Sequence, residues 1–119
     1  MPHCLELLVA TRNKKKLKEI KEILSGIELK ITSLTDYKDM PCIVEDGRTF
    51  AQNAIIKAST IAKFTKKLVL GEDSGLQVTA LGNRPGVYSA RYSGTGATDE
   101  KNNLKLLREL KNVPLKKRT

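Results

Sequence analysis

The chain has 119 residues, enough for one domain of ordinary size, with 22 Lys and Arg against 13 Asp and Glu for a formal net charge of +9. Hydrophobic residues make up 39% and charged residues 29%, which suits a globular core and excludes a disordered tail. Aromatics are only 4%, so an aromatic stacking platform for single-stranded nucleic acid is excluded, and no apolar run approaches the ~20 residues of a membrane span. The N-terminal stretch lacks a basic region and is interrupted by Glu6, so no signal peptide is expected. His3 is the single histidine, which argues against His-based metal or nucleophile chemistry. Cys4 and Cys42 lack metal spacing and are expected as reduced, partly buried thiols of a cytoplasmic protein.

In chain order, Leu5 to Ala10 predicts a short buried strand despite Glu6. Thr11-Arg12-Asn13 breaks the apolar pattern with capping residues, and Leu17, Ile20, Ile23 and Leu24 follow at helical spacing until Ser25-Gly26. Ile27 to Thr32 alternates as a second strand. Thr49 caps a second helix with Phe50, Ala54, Ile55, Ala58, Ile61 and Ala62 as its apolar stripe. Leu68-Val69-Leu70 reads as a third strand running into Gly71-Glu72-Asp73-Ser74-Gly75, and Leu76 to Leu81 either extends the sheet or opens a turn. Gly82 to Gly86 and Ser93 to Thr98 read as loops. A third helix is expected from about Asp99, with Leu104, Leu106, Leu107 and Leu110 inward and Pro114 as its stop, after which nothing docks the chain end. Strands alternating with helices predict an α/β architecture with a mixed or parallel sheet.

In such sheets ligands bind beyond the carboxyl ends of the strands. Two loops lie there. Thr11-Arg12-Asn13-Lys14-Lys15-Lys16 offers hydroxyl, amide and ammonium groups at a helix N-terminus, which favour an anion such as phosphate. Glu72-Asp73-Ser74-Gly75 offers adjacent carboxylates and a hydroxyl, hard oxygen ligands suited to Mg²⁺ together with phosphate oxygens. Plain helix capping and an ordinary turn account for the same residues, and both readings stand. Neither loop is a Walker A sequence, and Gly94-Thr95-Gly96 lacks the third glycine of a dinucleotide fingerprint.

Five ordered segments resemble one family. Ala10 to Glu19 is similar to the T-x-N-x-x-K opening of the inosine triphosphate pyrophosphatases (Ham1-like, XTP/dITP diphosphatases). Glu45 to Ala58, Glu72 to Leu76, Gly82 to Gly94 and Ala97 to Asp99 agree with that family in the same order. The resemblance implies a Ham1-like (Maf-like) fold over residues 1–119, a single domain lacking the C-terminal strands. It further implies Mg²⁺-dependent hydrolysis of non-standard purine nucleoside triphosphates (ITP, XTP, dITP) to monophosphate and pyrophosphate, by a cytoplasmic homodimer. Carried over by position, Thr11, Arg12, Asn13, Lys14, Lys15, Lys16, Lys57 and Ser74 would contact substrate. Glu45 and Asp73 would hold the metal, with Asp73 as proton acceptor. Two departures stand out: Gln52 replaces an acidic residue of the T-F-x-E-N segment, and the F-G-Y-D-P and S-H-R base-reading segments are absent. The alternatives are a shortened homologue that keeps only triphosphate and metal binding, and, from the charge alone, a basic nucleic-acid binder.

Overall fold

The computed structural model describes residues 5–119, so the expectations for His3 and Cys4 lie outside the described residues. The chain forms two compact units, one running through Asp73 and the other from Ser74 to Thr119. Among the described residues no helix is long and apolar enough to cross a membrane.

The first unit begins with strand β1 (Leu5–Val9), helix α1 (Lys14–Ile23) and strand β2 (Leu29–Ser33). A single 3₁₀ turn (Leu34–Asp36) and a long irregular segment lead to helix α2 (Phe50–Thr65) and strand β3 (Leu68–Leu70). The sheet order is β2-β1-β3 with both pairings parallel: Leu8 faces Thr32 on one side and Val69 on the other. Parallel neighbours require crossover helices, and α1 and α2 supply them. Asn13 starts α1, its Oδ1 accepting from Lys15 N at 3.0 Å and Lys16 N at 3.3 Å. Thr49 does the same for α2, its Oγ1 accepting from Gln52 N at 3.1 Å.

Leu8, Val9 and Ile61 are completely buried, and Ala10 and Leu34 nearly so. Leu8, Ala10, Leu34 and Ile61 form one cluster, and Tyr37, Met40, Ile43 and Val69 pack against it. Each fully buried Leu or Ile side chain contributes about 1.5–3 kcal/mol, so the middle strand and one line of α2 dominate the cohesion of this unit. Glu6 fits into β1 because its carboxylate is paired. Tyr37 Oη donates to Oε1 at 2.5 Å and Lys67 Nζ lies 2.6 Å from Oε2.

The second unit holds an antiparallel ribbon of β4 (Gln77–Val78) and β5 (Arg84–Pro85), then helix α3 (Asp99–Glu109). Val78, Leu81 and Leu110 form its core, with Leu106 and Val113 against them. Gly82 and Asn83 turn the ribbon with φ +64° and +67°, a left-handed pair that glycine and asparagine adopt most readily. Asn102 ties the loop to the helix: its Oδ1 accepts from Ser93 N and Oγ, and its Nδ2 donates to the carbonyls of Ser89 and Ala90.

The α/β expectation is met, with parallel pairing confined to the first unit and antiparallel pairing to the second. Four local expectations are corrected. Helix α3 ends at Glu109, well before Pro114, because Leu110 caps it and Val113 N donates back to Leu110 O at 2.9 Å in a tight turn. Leu104 and Leu107 are more than half exposed, leaving Leu106 and Leu110 as the inward pair. Thr119 is docked: its carbonyl accepts from Thr79 N at 2.5 Å and Ala80 N at 3.4 Å. Cys42 is exposed rather than partly buried.

Candidate functional site

Two glycines seat the functional loops of the first unit on α2. A Cβ on Gly71 would lie 2.3 Å from Ala54 O and 2.9 Å from Ala58 Cβ, so only glycine lets the chain leaving β3 pass this close to the helix. A Cβ on Gly47 would lie 2.6 Å from Asn53 Oδ1, which instead accepts from Gly47 N at 2.8 Å. Asn53 is fully buried and acts as the anchor for the segment carrying Glu45.

The middle of α2 presents Lys57 to both loops. Its Nζ lies 3.1 Å from Glu45 Oε1, 3.7 Å from Asp73 Oδ1 and 3.2 Å from the Glu72 carbonyl oxygen, to which it donates. The Lys57 and Asp73 side chains are only 12% and 11% exposed, which reduces solvent screening of their attraction. Asp73 Oδ2 is buried with no hydrogen-bond partner, an acceptor directed at neither protein donor nor open water.

The turn after β1 reaches the same acidic loop. Lys16, in the first turn of α1, places Nζ 3.0 Å from Glu72 Oε1 and 3.2 Å from Oε2. Thr11 is buried, and its Oγ1 accepts from Asn13 N at 3.0 Å, so Thr11 and Asn13 shape the turn while Lys16 projects from it. Arg12, Lys14 and Lys15 are exposed at its rim. The structure therefore holds two ion-pair groups, Lys57 with Glu45 and Asp73 and Lys16 with Glu72, joined where Lys57 donates to the Glu72 carbonyl, with Thr11 and Asn13 shaping the turn that carries Lys16. Ser74, exposed, is the first residue of the second unit. Sequence reasoning did not assign Glu72 a partner. It sits 56 residues from Lys16, and no local pattern signals such a pair.

Among the described residues no group of three or more His, Cys, Asp and Glu side chains is gathered for a metal ion. Mg²⁺ does not require one, because it binds through one or two carboxylates and completes its shell with water and phosphate oxygens. Glu45 and Asp73 share the ammonium of Lys57, and the orphaned Oδ2 of Asp73 is the kind of hard oxygen such an ion takes, so the donor set fits. Gln52 has no part in this set. Its Oε1 accepts from Arg48 N at 2.7 Å and helps cap α2.

A parallel sheet with cationic and acidic loops at the carboxyl ends of its strands is the design of open α/β proteins that bind ligands in that crevice. More narrowly, a sequence model described as the Ham1 family matches residues 7–119, and the chain belongs to that family. A dITP/XTP pyrophosphatase of Geobacter sulfurreducens is 56% identical over 95% of this chain and 57% of its own length. One from Streptococcus thermophilus is 53% identical over 87% of this chain and 32% of its own length. Among solved structures, a HAM1 protein from Coxiella burnetii superimposes with a TM-score of 0.79 at 44% identity, covering 90% of this chain and 54% of that one. The Staphylococcus aureus Ham1 protein gives 0.76 at 38% identity, covering 91% and 55%. The chain spans about half the length of most of these relatives.

Proposed function

We propose that this chain carries the phosphate- and metal-binding part of a nucleoside-triphosphate pyrophosphatase acting on non-standard purine nucleotides such as dITP, XTP and ITP. The observation that carries the reading is the convergence of Lys16 and Lys57 on the loop of Glu72 and Asp73. The relatives named dITP/XTP pyrophosphatase support it.

In this reading the turn Thr11–Lys16 and Lys57 receive the triphosphate, with the ammonium groups offsetting its charge and the N-terminus of α1 adding backbone donors. Arg12, Lys14 and Lys15 draw the polyanion in from the rim, and Ser74 contacts it as well. Glu45 and Asp73 hold Mg²⁺, which when bound supplies charge neutralisation and polarises phosphoryl oxygens. Asp73 accepts the proton of the attacking water, and its low exposure keeps competing solvent away from that oxygen. No covalent nucleophile is involved. We further propose that the working protein is a cytoplasmic homodimer.

The test is pyrophosphate release from dITP, XTP and ITP beside ATP and GTP, with Mg²⁺. Release from the first three in preference to the last two is expected. Absence of release from every one of them removes catalysis from the reading, and binding of triphosphate without release restricts the chain to the phosphate grip.

A further inference from the structure

The ion pair between Lys16 and Glu72 is built differently from its neighbours. Both carboxylate oxygens of Glu72 face the one ammonium, at 3.0 and 3.2 Å, and the two side chains are 31% and 29% exposed. Lys16 belongs to a helix start that repels cations: Lys14, Lys15 and Lys16 fill the first turn of α1 and no acidic residue accompanies them. Glu72 comes from another loop to offset that charge. Its backbone is fixed independently, because Lys57 Nζ donates to its carbonyl and Gly71 lies hard against α2. The loop is thus anchored through residue 71 and the Glu72 carbonyl, leaving the Glu72 side chain to reach across to α1.

We propose that Glu72 is a positioning residue that latches Lys16 in the resting site and yields it to the polyphosphate tail of the substrate. The inference rests on the reading of Lys16 as a phosphate ligand. A single oxyanion has little to gain by displacing a carboxylate that already uses both oxygens. A triphosphate, which also meets Lys57 and the helix N-terminus, outcompetes it. The latch therefore disfavours short anions, and it keeps the Lys16 ammonium oriented toward the acidic loop before substrate arrives.

The experiment is calorimetric titration of inorganic triphosphate in the absence of divalent cations, into the wild-type chain, Glu72→Gln, Lys16→Ala and the double variant. Glu72→Gln is expected to bind about fivefold tighter than wild type, the effect of removing a part-exposed competing pair. In the Lys16→Ala background the same substitution is expected to change affinity little, because Glu72 acts through Lys16. Equal or weaker binding by Glu72→Gln overturns the latch. A fivefold gain that persists without Lys16 also overturns it, as simple loss of negative charge, and leaves the pyrophosphatase reading standing. Absence of triphosphate binding in all four proteins overturns the latch together with the phosphate role of Lys16. A measurement on the wild-type protein needs no substitution: the NMR resonance of the Lys16 Nζ is expected to move on addition of inorganic triphosphate, and an unmoved resonance overturns the proposal.

Discussion

The two units use their polar side chains differently. Through Asp73, the sequence-distant polar contacts are dominated by charge, and the central ones are sheltered: Lys57 and Asp73 are 12% and 11% exposed. From Ser74 onward the main fastener is a neutral amide, Asn102, whose oxygen and nitrogen together hold four groups of the preceding loop. An ion pair there, Arg84 with Glu109, is 3.5 Å long and its arginine is 60% exposed. A neutral amide fixes a loop without requiring a counter-charge, so it suits scaffolding. Sheltered charges are costly to maintain unless paired, and the first unit gathers its own around Lys57, next to the loop that leaves β3.

That contrast can be broken by substitution. Asp73→Asn is expected to reduce pyrophosphate release from dITP by at least about a hundredfold with little change in melting temperature, since the amide keeps the shape and loses the proton acceptor. Near-wild-type turnover would remove Asp73 from the chemistry. Gly71→Ala is expected to destabilise by about 1–3 kcal/mol, because its methyl would press on the carbonyl of Ala54 and α2 or the loop must shift. Thermal unfolding checks this, and an unchanged melting temperature would show that the close approach is not a constraint. Asn102→Ala is expected to lower stability by about 1–3 kcal/mol while leaving turnover per folded molecule close to wild type. A parallel loss of turnover would erase the division between scaffold and chemistry.

The smallest expected effect concerns Glu6. The hydrogen bond from Lys67, then that from Tyr37, hold its carboxyl below the ordinary carboxylate value, and Glu6 in turn raises Lys67. A depressed carboxyl contributes stability above the ordinary carboxylate range and loses it as pH falls through the lowered value. Lys67, being raised, contributes below the ordinary lysine value and loses that only as pH rises through its higher one. Glu6→Gln is therefore expected to melt roughly 2–5 °C lower than wild type at neutral pH, with the gap closing in acid. A gap that stays constant down to pH 2 would show that the charge of Glu6 contributes nothing.

Local chemistry made the element starts legible. Asn13 and Thr49 were readable as caps because a capping side chain bonds only two or three residues ahead. The strands Leu5–Val9 and Leu68–Leu70 were readable as short apolar runs. Helical spacing in α3 identified an apolar line without telling which part of it faces the core, and so Leu104 and Leu107 were placed inward. Ile55, which helical spacing assigns to the apolar stripe of α2, is exposed instead. Glycine at 71 reads in sequence as part of a turn, whereas in the fold it marks close contact with Ala54 and Ala58, more than a dozen residues earlier on α2. The cationic and acidic loops were separately readable as candidates. Their meeting through Lys16 and Glu72 is a tertiary fact, since β1 and β3 must first lie side by side.

Because Gly71 and Gly47 both press against α2, that helix serves as the common datum for Glu45, Asp73 and Lys57. Lys57 is fixed on the helix itself, whereas Asp73 follows β3 by three residues and so takes its place from the sheet and the helix together.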